Sequence, residues 1–230
     1  MEFRRAILDE SLLEVEETVV VIDVLRAFTT AAYAFGAGAA DITLVATLAE
    51  AFALRKANPE MLIMGEVEGL PVEGFDFSNS PTEIASQDLA GRHLIQRTSS
   101  GTQGVVLSRN ADTLLASSFV CARGTAQYLR GLAPDLATFV ITGYGPGGSG
   151  DEDAACADYI EALVRGEGPQ AEPYLQRVSQ SPPGRIFSNP AKPEFPNSDL
   201  EYALNLDHFN FAMLVRRRNG QLIMETIKPA

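Results

Sequence analysis

Positive charge is scarce in this 230-residue chain: 18 Lys and Arg stand against 30 Asp and Glu, a formal net charge of −12. A nucleic-acid binder needs a cationic face to displace phosphate counterions, so that class is excluded. An anionic membrane surface is an equally poor partner. Long apolar runs are missing too. None approaches the ~18 residues that a bilayer-spanning helix requires. The opening stretch MEFRRAILDESLLEVEE has no apolar block ahead of a small-residue cleavage site, so it does not read as a signal peptide. Two cysteines, Cys121 and Cys156, are too few for a disulfide framework or a structural zinc site. Neither histidine, His93 or His208, has an Arg-His-Gly context that would support phosphohistidine chemistry. The expectation is a cytoplasmic protein without nucleic-acid or membrane partners.

The 46% apolar share is ordinary for a globular chain able to bury a core. Apolar, β-branched runs predict strands at Thr18–Asp23, Ile42–Val45, Leu62–Met64, His93–Gln96, Thr113–Ala116 and Leu136–Thr142. Helical spacing or helix-start signals fall between them, over Ala27–Ala37, Leu48–Ala57, Thr102–Ser108, Gly124–Leu132 and Glu152–Arg165. Ser80-Pro81-Thr82-Glu83 fits a capping box with proline at the first helical position. This alternation predicts an α/β fold: one three-layer α/β/α domain over 1–230 with a mostly parallel, mixed sheet. Residues 181–198, rich in proline, read as an irregular excursion. Phe211–Arg217 and Leu222–Ile227 flank Asn219-Gly220, the signature of a C-terminal antiparallel hairpin. An edge-strand role is expected for it; covering the site or pairing with a second copy in a homodimer are the alternatives.

Ligands of open parallel sheets bind at the carboxyl ends of strands. Four such ends here are polar. They carry Asp23 and Arg26; Glu66 with Asp76, Asn79 and Ser80; Arg97 with Thr98, Ser99, Ser100, Gly101 and Thr102; and GYGPGGSG followed by Asp151, Glu152 and Asp153. Parallel strands would set all four on one edge. Asp23 at a strand end suits a base, a nucleophile or a metal ligand, and otherwise a helix cap. A guanidinium at Arg26 can grip phosphate or carboxylate bidentately, or pair with Asp23. TSSGT opens a helix with hydroxyls and free amides, a composition that binds phosphate. It is not a Walker A loop, because no Gly-Lys-Ser/Thr follows. Asp23 with Thr29 invites a haloacid-dehalogenase reading, but the position of that family's second Asp is Leu25. Carboxylates such as Glu152 and Asp153 are hard oxygen ligands suited to Mg²⁺. Charge is also local: between Gly91 and Gly131 five arginines face the single Asp112, a net +4 around the TSSGT loop.

The segments VVIDVLRAFTTAAYAFGAGA, GEVEGLPVEGFDFSNSP, RTSSGT and EDAACA, in this order from about Val19 to Ile160, resemble the 2-phosphosulfolactate phosphatase family. The resemblance implies a Mg²⁺-dependent hydrolase of a small anionic phosphorylated substrate, 2-phospho-3-sulfolactate, on the way to coenzyme M. Carried over position by position, it implies functional roles for Asp23, Arg26, Glu66, Asp76, Asn79, Ser80, Thr98, Gly101, Thr102, Glu152 and Asp153. Ser100 stands where that family usually has Asn. The mechanism expected has Mg²⁺ held by carboxylates among Asp23, Glu66, Glu152 and Asp153. Asp76 or Asp23 would take the proton of the attacking water. Arg26, Arg97, Asn79, Ser80 and the Thr98–Thr102 loop would hold the anionic groups. A non-catalytic anion-binding module on the same scaffold is the competing reading.

Overall fold

The computed structural model describes residues 1–143 and 150–228. Its strands are β1 (Glu2–Ile7), β2 (Thr18–Ile22), β3 (Asp41–Leu44), β4 (Leu62–Gly65), β5 (Phe77–Ser78), β6 (His93–Arg97), β7 (Thr113–Ser117), β8 (Leu136–Ile141), β9 (Ala212–Arg218) and β10 (Gln221–Ile227). The helices are α1 (Ala27–Gly36), α2 (Leu48–Ala57), α3 (Pro81–Ile84), α4 (Gly101–Leu107), α5 (Ala122–Leu132), α6 (Asp151–Arg165), α7 (Glu172–Gln180), α8 (Pro182–Ile186) and α9 (Asn197–Ala203). The expected α/β alternation is present, with boundaries shifted by a residue or two. The glycine-rich loop read from the sequence falls largely on 144–149, outside the described residues.

All ten strands join one sheet in the order β1-β8-β2-β7-β9-β10-β3-β6-β4-β5. Side chains alternate across it as the pleat requires. Val19 and Val21 of β2 pack into one core with Phe28, Ala31 and Val105. Val20 and Ile22 enter another with Ala126, Ala155 and Ile160 on the opposite face. A third cluster sets Ile63 and Ile95 beneath Ala51 of α2. Helix α1 is buried from Ala27 to Phe35, so its sequence AFTTAAYAF has no charged face to expose.

The C-terminal hairpin is not at an edge. β9 pairs antiparallel with β7, and β10 pairs antiparallel with β3, so the hairpin welds two parallel half-sheets together. Its turn is as expected: Asn219 and Gly220 take φ of 53° and 78°, the left-handed pair of a tight hairpin. Met213, Val215 and Met224 enter the α1-side core because of this central position. Met224→Ala is therefore expected to cost about 2–5 kcal/mol by urea unfolding. A cost under about 1 kcal/mol would be the mark of an edge strand.

This weld also corrects the simple one-edge expectation. Three antiparallel steps separate β7 from β3, and on a flat sheet they would point the half-sheets in opposite directions. Sheets twist by roughly 20–25° per strand. Over the six steps from β2 to β4 that rotation swings the second half round, and both halves wrap α1. The side chain of Gln96 on β6 donates to the carbonyl of Ala27 at 2.9 Å, so the carboxyl end of β6 meets the start of α1, where β2 also ends.

Five elements, β1, β5, α7, α8 and α9, were hidden from the sequence. β1 is a charged edge strand whose Arg5 reaches Asp158 and Glu161 of α6 at 2.9 and 2.8 Å. The 181–198 stretch is only partly irregular, because Pro182 and Pro183 start α8 after Ser181 caps it, where proline is tolerated.

Candidate functional site

Asp23 follows β2 directly. Its Oδ1 accepts the Ala27 N–H at 2.9 Å, so it does cap α1. Its Oδ2 lies against the start of α4: a Cβ on Gly101 would sit 2.9 Å from it and 2.6 Å from Ala27 Cβ. Only glycine lets the Thr98–Thr102 loop approach the carboxylate this closely. From the other side comes α6. Asp153 accepts the Val24 N–H at 2.8 Å and the Gly143 N–H at 2.9 Å, and it takes the Thr142 hydroxyl at 3.1 Å. It thereby ties the ends of β2 and β8 together. Glu152, beside it, is buried, and its Oε2 has no hydrogen-bond partner among the described residues. Such an orphan is costly unless a ligand completes it.

Three buried carboxyls in one place oppose one another's ionisation. Burial pushes Asp23 up to about 7, and the Glu66 and Glu152 charges push the same way. Burial, followed by the Glu152 and Asp23 charges, holds Asp153 well above the usual carboxylate range. Burial raises Glu152 as well. The folded protein thus keeps protons that the unfolded chain releases near pH 4. Stability from these groups is present at low pH and is lost as pH rises through the raised folded values. The melting temperature in EDTA is expected to fall between pH 5 and pH 8. A rise over that range would contradict the cluster.

The Thr98–Thr102 loop is braced internally. Thr98 Oγ1 accepts the Thr102 N–H at 3.0 Å, and Thr102 Oγ1 accepts the Thr98 N–H at 2.9 Å. Ser100 makes no side-chain cap to α4, so its hydroxyl is left for another partner. Glu66 holds this loop: its carboxylate accepts the Ser99 N–H, the Ser99 hydroxyl and the Gly69 N–H. Both Glu66 oxygens are occupied, which suits a brace better than a metal ligand. Arg97 donates to the Glu66 and Ala46 carbonyls at 2.8 and 3.3 Å and stays half-buried beside the loop.

Three residues are placed otherwise than expected. Asp76 is not brought to the carboxylates; it pairs with Arg55 and accepts the Ile63 N–H, pinning the 66–77 loop to β4. The Arg26 guanidinium does not pair with Asp23 but with fully buried Asp199, at 2.8 Å. Ser80 caps α3 and donates to the same Asp199 at 2.6 Å; Glu83 reaches back to Ser78 instead of closing the capping box. Asn79 is buried with its Oδ1 unpartnered among the described residues. Asp151 turns away to Arg177. Thr142 and Asp199 were missed. Thr142 sat at a predicted strand end and could have been found; Asp199, in the proline-rich tail, carried no signal.

No three His, Cys, Asp or Glu side chains are gathered as a metal-binding group among the described residues. A smaller donor set does fit a hard cation. Asp23 and Glu152 come from different elements, and Glu152 keeps an oxygen without a partner among the described residues. Mg²⁺ characteristically takes one or two carboxylates and fills its shell with water and substrate phosphate.

A buried carboxylate cluster facing a hydroxyl- and glycine-rich helix start lies where ligands of open α/β sheets bind. The comparisons narrow its chemistry. A profile described as 2-phosphosulpholactate phosphatase matches residues 6–218. The chain is 36% identical over 199 residues to the Probable 2-phosphosulfolactate phosphatase of Bacillus subtilis, covering 86% of each chain. It is 33% identical over 226 residues to the protein of the same name from Carboxydothermus hydrogenoformans, covering 92% of this chain and 91% of the relative. The chain belongs to the 2-phosphosulpholactate phosphatase family, a family of phosphoric monoester hydrolases. None of its described helices is long and apolar enough to cross a membrane.

Proposed function

We propose that this protein is a Mg²⁺-dependent phosphatase that hydrolyses 2-phospho-3-sulfolactate, or a closely related phosphorylated hydroxy acid, to 3-sulfolactate and inorganic phosphate. The observation that carries the reading is the buried Glu152 beside Asp23, whose Oε2 has no hydrogen-bond partner among the described residues, with Gly101 pressed against the same Asp23. The names of the relatives support the substrate class.

Asp23 and Glu152 would hold the cation. Bound there, Mg²⁺ would supply Lewis-acid stabilisation of phosphoryl charge. The chain's own residues do the rest. Asp153 fixes the Val24 and Gly143 amides, so the two carboxylate-bearing segments keep a set spacing. Ser100, the Gly101 amide at the start of α4 and the Arg97 side chain receive phosphate oxygens, while the Thr102 N–H is already taken by Thr98 Oγ1. Phosphoryl transfer is mostly positioning and charge stabilisation, and this arrangement offers both.

The test is phosphate release from 2-phosphosulfolactate and a panel of phosphorylated hydroxy acids, with Mg²⁺ and with EDTA. Metal-dependent release supports the reading. Binding without turnover across the whole panel would sink it.

A further inference from the structure

Asp199 lies in α9, far along the chain from every strand end that builds the site, yet it is fully buried with a charged partner. Its Oδ2 accepts from Arg26 at 2.8 Å, while its Oδ1 accepts the Ser80 hydroxyl at 2.6 Å and the Thr82 N–H at 3.1 Å. The Arg26 guanidinium is held on all sides. It lies over the Phe187 and Phe195 rings, 5.4 and 5.0 Å from their centroids. It donates to the Glu194 carbonyl at 3.1 Å and to the Gly69 carbonyl at 3.0 Å. Phe195 also covers Gly69, where a Cβ would come within 2.8 Å of the ring.

These contacts continue into the phosphate loop. Gly69 N–H donates to the Glu66 carboxylate, which in turn accepts the Ser99 N–H. A hydrogen-bonded path therefore runs from Asp199 through Arg26, Gly69 and Glu66 to Ser99. We infer that Asp199 is a positioning residue of the hydrolytic site: through Arg26 it sets the Gly69 turn, and through that turn the Thr98–Thr102 loop. An ion pair buried this deeply and flanked by two aromatic rings is costly to maintain for stability alone. Its value here is a fixed geometry at a loop where displacements of about 1 Å change rates about 10²-fold.

The inference rests on the phosphatase reading, and its test separates the two. Inorganic phosphate is the probe, its binding followed by calorimetry in Mg²⁺ on the full chain, beside Mg²⁺ affinity measured alone. Asp199→Asn is expected to weaken phosphate binding about tenfold or more and leave Mg²⁺ affinity within about threefold, because the path ends on the loop and not on Asp23 and Glu152. Arg26→Lys keeps the buried charge paired but cannot also reach the Gly69 carbonyl, so it should reproduce the effect even if Asp199→Asn folds poorly. Met224→Ala supplies a destabilised control with phosphate binding unchanged. Wild-type phosphate affinity in both path variants, or parallel losses of phosphate and Mg²⁺ affinity, would overturn the inference. Failure of the wild type to release phosphate from any ester is the separate result that would overturn the phosphatase reading.

Discussion

Asp23→Asn is expected to remove Mg²⁺-dependent phosphate release, by at least about 10²–10³-fold in kcat/KM, in a protein that still folds. The amide oxygen can still accept the Ala27 N–H that Asp23 accepts at 2.9 Å, so the cap on α1 survives. What disappears is the negative charge. In wild type that charge is opposed by burial and by Glu66 and Glu152, which raise the carboxyl to about 7. Its removal relieves the metal-free protein at alkaline pH. The variant's melting temperature in EDTA at pH 8 should equal or exceed the wild type's, and the fall between pH 5 and pH 8 should be shallower. Lost activity with undiminished stability distinguishes a functional carboxylate from a structural one. Wild-type turnover in the purified variant would remove Asp23 from the chemistry.

The second large effect is expected from a single methyl group. In Gly101→Ala the added Cβ would lie 2.6 Å from Ala27 Cβ and 2.9 Å from Asp23 Oδ2, both well inside van der Waals contact. Helix α4 must retreat, carrying Ser100 and the loop amides away from the carboxylates. A shift of about 1 Å corresponds to about 10²-fold in kcat/KM, and overpacking of this kind costs about 1–3 kcal/mol of stability. Gly131→Ala is the matched control: nothing lies within 4 Å of its added Cβ. It is expected to leave activity unchanged and to gain a few tenths to about 1 kcal/mol of helix stability. Steady-state kinetics and urea unfolding of the two variants separate an effect of close approach from a general intolerance of alanine.

Much of this site was legible because the pattern of strand ends is local. TVVVID, IMGE and QRTSSGT each announce a buried strand and then its polar terminus, and the structure brings Asp23, Glu66, Gly101, Glu152 and Asp153 together as those runs suggest. What could not be read depended on distant partners. Asp76 looks like any loop carboxylate until Arg55 and Ile63 are found to hold it. Glu66 looked like a ligand, yet the Gly69 and Ser99 groups fill its oxygens. Arg26 has a near neighbour of opposite charge at Asp23, but the tail supplies Asp199 instead. The hairpin was visible from Asn219-Gly220, whereas its place between β7 and β3 was not. Strand order is set by cross-chain packing that a hairpin's own sequence does not encode. β1 was invisible for a related reason: an edge strand carries charge on its open side, which erases the apolar signature of a strand.

The measurement that bears most directly on the central claim is phosphate release from 2-phosphosulfolactate titrated with Mg²⁺, run in parallel on wild type and Glu152→Gln. Wild-type rate should be absent in EDTA and saturate with Mg²⁺. Glu152→Gln, which replaces the buried Glu152 carboxylate with a neutral amide, should need roughly 10–100-fold more metal to approach saturation. Full wild-type turnover in EDTA, or an unchanged Mg²⁺ requirement in Glu152→Gln, would contradict a hydrolytic site built on Asp23 and Glu152.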